Sequence, residues 1–177
     1  MSRLLENDQI RLRAPDPEDL DLLYIWENDT TLWEYGAYYT PFSRFDLKQY
    51  LIENKHDIFS DKQLRLMIVD NATKAVVGAV DIYDFEPRHR RAEVGILIDS
   101  NHRGRGFGLT ALKLLEDYAF GFLNLNQLYA IIPESNKKSI DLFTKAGYIH
   151  SGNLNEWLST GTTFESALLM QNINRRI

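Results

Sequence analysis

Cysteine is absent from the 177 residues, which excludes disulfides, thiolate nucleophiles and cysteine-based zinc sites. The four histidines, His56, His89, His102 and His150, lack HExxH spacing, so no metal is expected. Long apolar runs are missing too. "MSRLLENDQIRLRAPD" is broken by charge before a signal-peptide core forms, and no later segment has the length and apolarity to cross a bilayer. Cytoplasmic residence without a membrane partner is the resulting expectation. Positive charge is in the minority, with 20 Lys and Arg against 25 Asp and Glu and a net charge of -5. That balance argues against a broad nucleic-acid surface, the small "HRR" patch at 89–91 included, and suits a local anion site or a cationic substrate. No repeat, low-complexity tract or composition shift marks a linker, so residues 1–177 are expected to form a single domain.

What is present is regularly ordered. "QIRLRA" (9–14) alternates as a half-buried strand does, and Asp16 is placed to cap a helix that begins at Pro17, with Asp19 in its first turn and Leu20, Leu23 and Tyr24 facing the core. Residues 28–42, "NDTTLWEYGAYYTPF", read as an aromatic loop able to line a pocket, after which Ser43 and Asp46 open a second helix to about Asn54. "LRLMIVD" (64–70) and "AVVGAVDIYDF" (75–85) flank the turn "NATK" as an antiparallel hairpin, and "EVGILID" (93–99) is a third strand. A helix follows whose apolar face is Leu109, Leu112, Leu115, Ala119 and Phe122. Next come a strand at 127–132, a short helix in "SNKKSIDLFTKAG" ended by Gly147, and closing strands "YIHSG" and "FESALLMQNI" with Trp157 between them. The strand–helix–strand–helix–strand order of residues 93–151 predicts local parallel pairing.

The stretch "NHRGRGFG" (101–108) stands where a strand hands over to a helix. Glycine admits positive φ and close approach to the amides, so such a turn can aim several N–H groups at one anion, and Arg103 and Arg105 can add charge-assisted hydrogen bonds. The pattern reads as a phosphate or pyrophosphate cradle; a tight turn with surface arginines is the simpler alternative. A P-loop is excluded because no lysine follows Gly108. "GFGLTA" matches G-x-G-x-x-A, but "DSNHR" separates its glycines from the strand, and the next strand ends at Pro133 where a dinucleotide site wants an acid.

Taken in order, these segments resemble the GNAT family of N-acetyltransferases over nearly the whole chain. Arg103, Gly106 and Gly108 match the family's R/Q-x-x-G-x-G/A pattern between the expected strand and helix. "NKKSIDLFTKAGY" (136–148) matches its asparagine-led helix ending in K-x-G-F/Y, and "IRLR" (10–13) with "PEDLDLL" matches its usual start. "HRRAEVGILID", "YAFGFLNLNQLYA" and "NKKSIDLF" resemble the spermidine, or polyamine, branch, and next to it the enzymes that acetylate ribosomal-protein N-termini. The resemblance implies an α/β (α+β) acyl-coenzyme A N-acyltransferase fold: a mixed, mostly antiparallel central sheet, helices on both faces, and a fourth strand (93–98) splayed from the fifth (127–132). It implies acetyl-coenzyme A as co-substrate, with its pantetheine arm on the backbone of Ile96, Leu97 and Ile98 and an N–H near Leu97 polarising the thioester carbonyl. The pyrophosphate is expected on the amides of Arg103, Gly104, Arg105, Gly106, Phe107, Gly108 and Leu109. Asn136 and Lys145 are expected to hold more distal parts, Asn136 being alternatively a helix cap.

The resemblance further implies direct attack of an amine on the thioester, with neither metal nor covalent enzyme intermediate. Glu93 is a candidate to accept the amine's proton through water, or else a partner for Arg90 or Arg91. The family often places a tyrosine seven residues after the asparagine to protonate the thiolate. Here that position is Phe143, which cannot donate and either borders the cofactor or packs in the core. Ser139, a nearby tyrosine, an ordered water or unassisted departure is left for the task. The acceptor is expected among Trp33, Glu34, Tyr35, Tyr38 and Tyr39, residues that alternatively form a hydrophobic lid or a dimer surface. A homodimer or higher homo-oligomer is implied, with Trp157 at a subunit interface. Three functions stay open: acetylation of a small amine such as a polyamine, acetylation of a peptide N-terminus, and non-catalytic acyl-coenzyme A binding.

Overall fold

The computed structural model describes residues 4–35, 39–55 and 57–176. Among these residues seven strands, β1 (Ile10–Arg13), β2 (Leu64–Asp70), β3 (Val76–Glu86), β4 (Arg91–Ile98), β5 (Gln127–Pro133), β6 (Ile149–Ser159) and β7 (Phe164–Ile173), form one sheet in the order β1-β2-β3-β4-β5-β7-β6. Every neighbouring pair is antiparallel except β4 and β5. The mixed, mostly antiparallel sheet expected from the sequence is therefore present. Parallel pairing stops at that one pair, because β7 folds back between β5 and β6.

Among the described residues six helices accompany the sheet: α1 (Leu20–Glu27), α2 (Thr30–Trp33), α3 (Arg44–Glu53), α4 (Ile58–Asp61), α5 (Phe107–Asp117) and α6 (Lys137–Lys145). Strand alternation divides the core between two faces. Leu66, Ile68, Val80, Ile82, Val94, Leu128 and Ile132 pack with Leu112 and Leu115 of α5 and Phe143 of α6. Met67 and Ala79 turn the other way, against Leu23 and Trp26 of α1 and Leu47 of α3. Ahead of α1, Pro17–Asp19 forms a 3-10 turn that Asp19 closes by accepting the Asp16 N–H (2.7 Å). Asp19 is buried and held by both terminal guanidinium nitrogens of Arg13, Nη1 and Nη2 (2.7 and 2.9 Å).

Three sequence expectations are corrected. The aromatic loop contains α2, whose two threonines conceal a turn that Asp29 caps by accepting the Thr31 N–H (3.0 Å). α5 passes into a π-helical turn, Tyr118–Phe122. The extra residue per turn rotates the apolar face, so Ala119 and Phe120 are buried while Phe122 stacks on Tyr118 at 68% exposure. Trp157 lies within β6, which is an 11-residue strand, rather than between strands.

Candidate functional site

The parallel ladder between β4 and β5 has three rungs, Arg91–Gln127, Ala92–Leu128 and Glu93–Tyr129. Beyond Glu93 the two strands run on unpaired to each other, to Ile98 and Pro133, so they open as a V with Glu93 at its vertex. In an antiparallel ladder the main-chain groups of alternate residues turn to opposite neighbours. Asp99 donates its N–H to Val77 on β3 (2.9 Å), and Leu97, opposite Ala79, shares that rank. A Cβ built on Gly78 would lie 2.2 Å from the Leu97 carbonyl oxygen. Ile96 therefore turns its main-chain groups to the opening, as do the Val94 carbonyl and Ile98, whose carbonyl accepts Arg103 Nε (3.0 Å). The donor expected near Leu97 is best placed at its neighbour: Ile96 offers its N–H to the gap, while Leu97 is engaged with β3.

At the top of β4 the chain turns into the glycine-rich loop. The Asp99 carboxylate accepts Trp26 Nε1 from α1 (3.1 Å) and the Asn101 N–H (3.0 Å), tying the loop's root to the opposite face. Those hydrogen bonds, Trp26 first, hold its carboxyl below the usual aspartate value. Gly104 (φ +74°) and Gly106 (φ +82°) take left-handed backbone. A Cβ at Gly104 would meet nothing within 4 Å, and one at Gly106 only Gln9 Nε2 at 3.9 Å. Gln9 braces the loop, donating to the Arg105 carbonyl (3.3 Å) and accepting the Thr110 hydroxyl (2.7 Å). α5 opens at Phe107, so the N–H groups of Phe107, Gly108 and Leu109 have no intrahelical acceptor. Arg103 and Arg105 are exposed, the latter with its guanidinium 5.0 Å from the Phe107 ring centre. Open space, three convergent amides and two guanidinium groups fit a diphosphate. Gly108 differs from the other glycines: a Cβ there would stand 3.2 Å from Leu142 Cδ2, so its bareness lets α5 pack on α6.

On α6, the Asn136 side chain accepts the Ser139 N–H (3.2 Å) and caps the helix. Ser139 is half-buried in the first turn. Lys145 is exposed one turn beyond Leu142, on the side of the helix that meets Gly108. Phe143 is 2% exposed and meets the Tyr148 ring edge-to-face at 4.9 Å, the core packing that is one of its two expected places. The Tyr148 hydroxyl is buried without a hydrogen-bond partner among the described residues.

Against the β2–β3–β4 face, beneath α1, α2 and α3, lies a cavity of about 510 Å³. Trp33 and Tyr35 line it. Glu34 and Tyr39 are exposed and do not, and Tyr38 lies outside the described residues. Reasoning from the sequence passed over Arg65, Asp81 and Tyr83 in the wall. Arg65 grips Asp81 through Nε (2.7 Å) and Nη2 (3.0 Å) and pairs with Glu27 of α1. Burial alone would weaken its charge, but the two carboxylates outweigh burial and hold it protonated. The signal available was strand alternation, which sets Asp81 and Tyr83 on the face of Glu93 once the β3–β4 hairpin is drawn.

At the vertex Glu93 accepts the Tyr83 hydroxyl (3.3 Å) and the Ile131 N–H of β5. These partners replace the suggested Arg90 or Arg91. Burial pushes the Glu93 carboxyl above the ordinary glutamate value, against the pull of both hydrogen bonds. Beside it the Tyr129 hydroxyl donates to Asp84 (2.6 Å). Among the described residues no cluster of three or more His, Asp or Glu is placed to hold a metal ion, and no helix is long and apolar enough to cross a membrane.

Residues 9–149 match the acetyltransferase (GNAT) domain family. The spermidine N(1)-acetyltransferase of Vibrio cholerae is 32% identical over 150 residues, 85% of this chain and 84% of that protein. The crystal structure of the spermidine N-acetyltransferase from Vibrio cholerae in complex with CoA and spermine superposes with a TM-score of 0.80 at 28% identity, covering 94% of this chain and 96% of that one. A dodecameric structure of the Vibrio cholerae enzyme gives 0.77 at 28% identity, covering 94% and 95%. With the splayed strands and the glycine cradle in place, the chain belongs to the GNAT family of acetyltransferases.

Proposed function

We propose that this chain transfers acetyl from acetyl-coenzyme A to a primary amine of a polyamine such as spermidine. One observation carries the reading: the cavity beside the opening sets Glu27, Asp46 and Asp81 against a single guanidinium, Arg65. A net-negative, aromatic-walled cavity suits a flexible oligocation better than an anionic or neutral acceptor. The Vibrio cholerae relative, named for spermidine and solved with CoA and spermine, supports the same substrate class.

Acetyl-coenzyme A enters as the second substrate and supplies the activated acyl group. The amides from Arg103 to Leu109, with the Arg103 and Arg105 guanidinium groups, hold its diphosphate; Asn136 and Lys145 reach more distal parts. Val94 and Ile96 pair with its amide-bearing arm as an added strand would. The Ile96 N–H hydrogen-bonds the thioester carbonyl as charge builds on that oxygen. Glu93, made more basic by burial, takes the amine's proton. Trp33, Tyr35 and Tyr83 flank the amine chain. The chain acts as a homo-oligomer, in keeping with the dodecameric relative and with the exposed Trp157, Ile149 and Phe164.

Thiol release measured with spermidine, spermine and a panel of peptides with free N-termini tests the reading. Turnover of the polyamines with inert peptides is expected. Turnover of peptides alone would replace the acceptor by a protein N-terminus, and tight acetyl-coenzyme A binding with no amine turned over would leave a binding module.

A further inference from the structure

We propose that Tyr83 is the acid that protonates the departing thiolate, the task Phe143 cannot perform; the proposal rests on the acetyl-transfer reading above. Glu93, Gly95 and Leu97 alternate on the cavity face of β4, opposite Tyr83, Asp81 and Ala79 of β3. The Tyr83 ring crosses to β4 and lies over Gly95. A Cβ at Gly95 would stand 3.0 Å from Tyr83 Cε1 and 3.4 Å from its hydroxyl oxygen, so the bare glycine lets the ring lie close against β4. The ring is 37% exposed, but its hydroxyl end is bound to Glu93 at 3.3 Å. Glu93 is where pairing between β4 and β5 ends, and its carboxylate also receives the Ile131 N–H from β5. The phenol is thereby carried from β3, over β4, to the vertex of the V. α6, with Ser139 and Phe143, covers the other face of the sheet. Two faces lead to one vertex, and the hydroxyl missing from the helix side is supplied from the cavity side.

The proton path closes on itself. As the amine nitrogen bonds to the acetyl carbon and the carbon–sulfur bond breaks, Glu93 takes a proton from nitrogen and Tyr83 gives its phenolic proton to sulfur. The proton on Glu93 then returns along the hydrogen bond to the phenolate oxygen. One proton has passed from nitrogen to sulfur, and both side chains end as they began. Facing the phenol are Glu93 on β4, Asp81 on β3, itself paired with Arg65, and Tyr129 on β5. Burial first, and then those carboxylates, keep the phenol protonated. Neutralising Glu93 removes the nearer charge, which times the phenol's release to the arrival of the amine's proton.

The test is Tyr83→Phe. In the binary complex with coenzyme A, thiolate absorbance is followed as pH is raised. The bound thiol's pKa is expected to rise by about one to two units in the variant, the worth of one lost hydrogen bond to an anion. This readout needs no amine, so it stands whichever acceptor the enzyme uses. In turnover, kcat with acetyl-coenzyme A is expected to fall roughly 100-fold, while transfer from p-nitrothiophenyl acetate, whose thiolate leaves without a proton, is expected to fall far less. Gly95→Ala, which pushes the ring off its close contact with β4, is expected to move both readouts in the same direction by a smaller amount and to add nothing to Tyr83→Phe in the double variant. Unchanged coenzyme A affinity reports that the variants are folded. An unshifted thiol pKa with an unchanged kcat would overturn the proposal, and so would equal losses with both acyl donors, the mark of a structural role.

Discussion

Glu93 concentrates three demands on one carboxyl group: it ends the β4–β5 ladder, accepts the Tyr83 phenol and is raised by its own burial. As the proposed base, it is expected to show its titration in the rate. Attack requires a neutral amine, and alkylammonium groups ionise near 10.4, so log kcat/KM climbs with unit slope across the neutral range. Below the Glu93 value a second proton must be absent, and the slope becomes two. The break is expected above the ordinary glutamate value, and Glu93→Gln is expected to abolish it, leaving unit slope throughout and a rate lower by about 100-fold. Stability runs in the matching sense. A carboxyl raised in the folded state contributes fully below its unfolded value, and the contribution is lost as pH rises through the folded one. A pH profile of kcat/KM for both proteins checks the prediction; a break that persists in the glutamine variant assigns it to another group.

Among the elements, the turn between β4 and α5 separates glycines that look equivalent in the sequence. Gly106 has left-handed backbone and faces open space, whereas Gly108 is bare because Leu142 presses on it. Gly106→Ala puts a methyl group beside the amides at the helix start and strains the backbone by about 1–2 kcal/mol. It is expected to weaken coenzyme A binding at least ~10-fold, since strain and a crowded cradle both oppose the bound loop. Gly108→Val is expected to lower stability by about 1–3 kcal/mol through overpacking against α6, with the smaller loss of affinity. Calorimetric titration with coenzyme A and thermal melts compare the two; equal affinity losses would merge their roles. This turn was legible in the sequence because its donors are contiguous, from Arg103 to Leu109. The cavity was not, because Arg65, Asp81 and Glu27 meet only through the β2–β3 register and the packing of α1. Whether Leu97 or Ile96 faces the gap depends on which neighbour each main-chain group serves, and side-chain alternation does not reveal that. The displaced apolar face of α5 escaped notice for a related reason: a period of 3.6 cannot foresee a π turn.

At the scale of the molecule, the sheet is used on both faces and finished on one edge only. β1 ends one side as a four-residue strand, while β6 and β7 extend the other by a long hairpin. β6 is the outermost strand there, yet its register slips twice and Glu156 takes a φ of +49°. Such irregularities oppose strand-to-strand addition at an edge. The same hairpin carries Ile149, Trp157 and Phe164 at 61%, 54% and 64% exposure, so the subunit contact of the proposed oligomer is expected here through side chains rather than through a continued ladder. Large aromatic side chains left on such a surface are the usual anchors of a protein interface. Trp157→Glu inserts a charge at that anchor while leaving Glu93, Tyr83 and the glycine cradle in place. Sedimentation velocity is expected to show an oligomer for the natural chain and a lighter species for the variant, with coenzyme A affinity unchanged. A variant that sediments with the natural chain would move the interface off this hairpin.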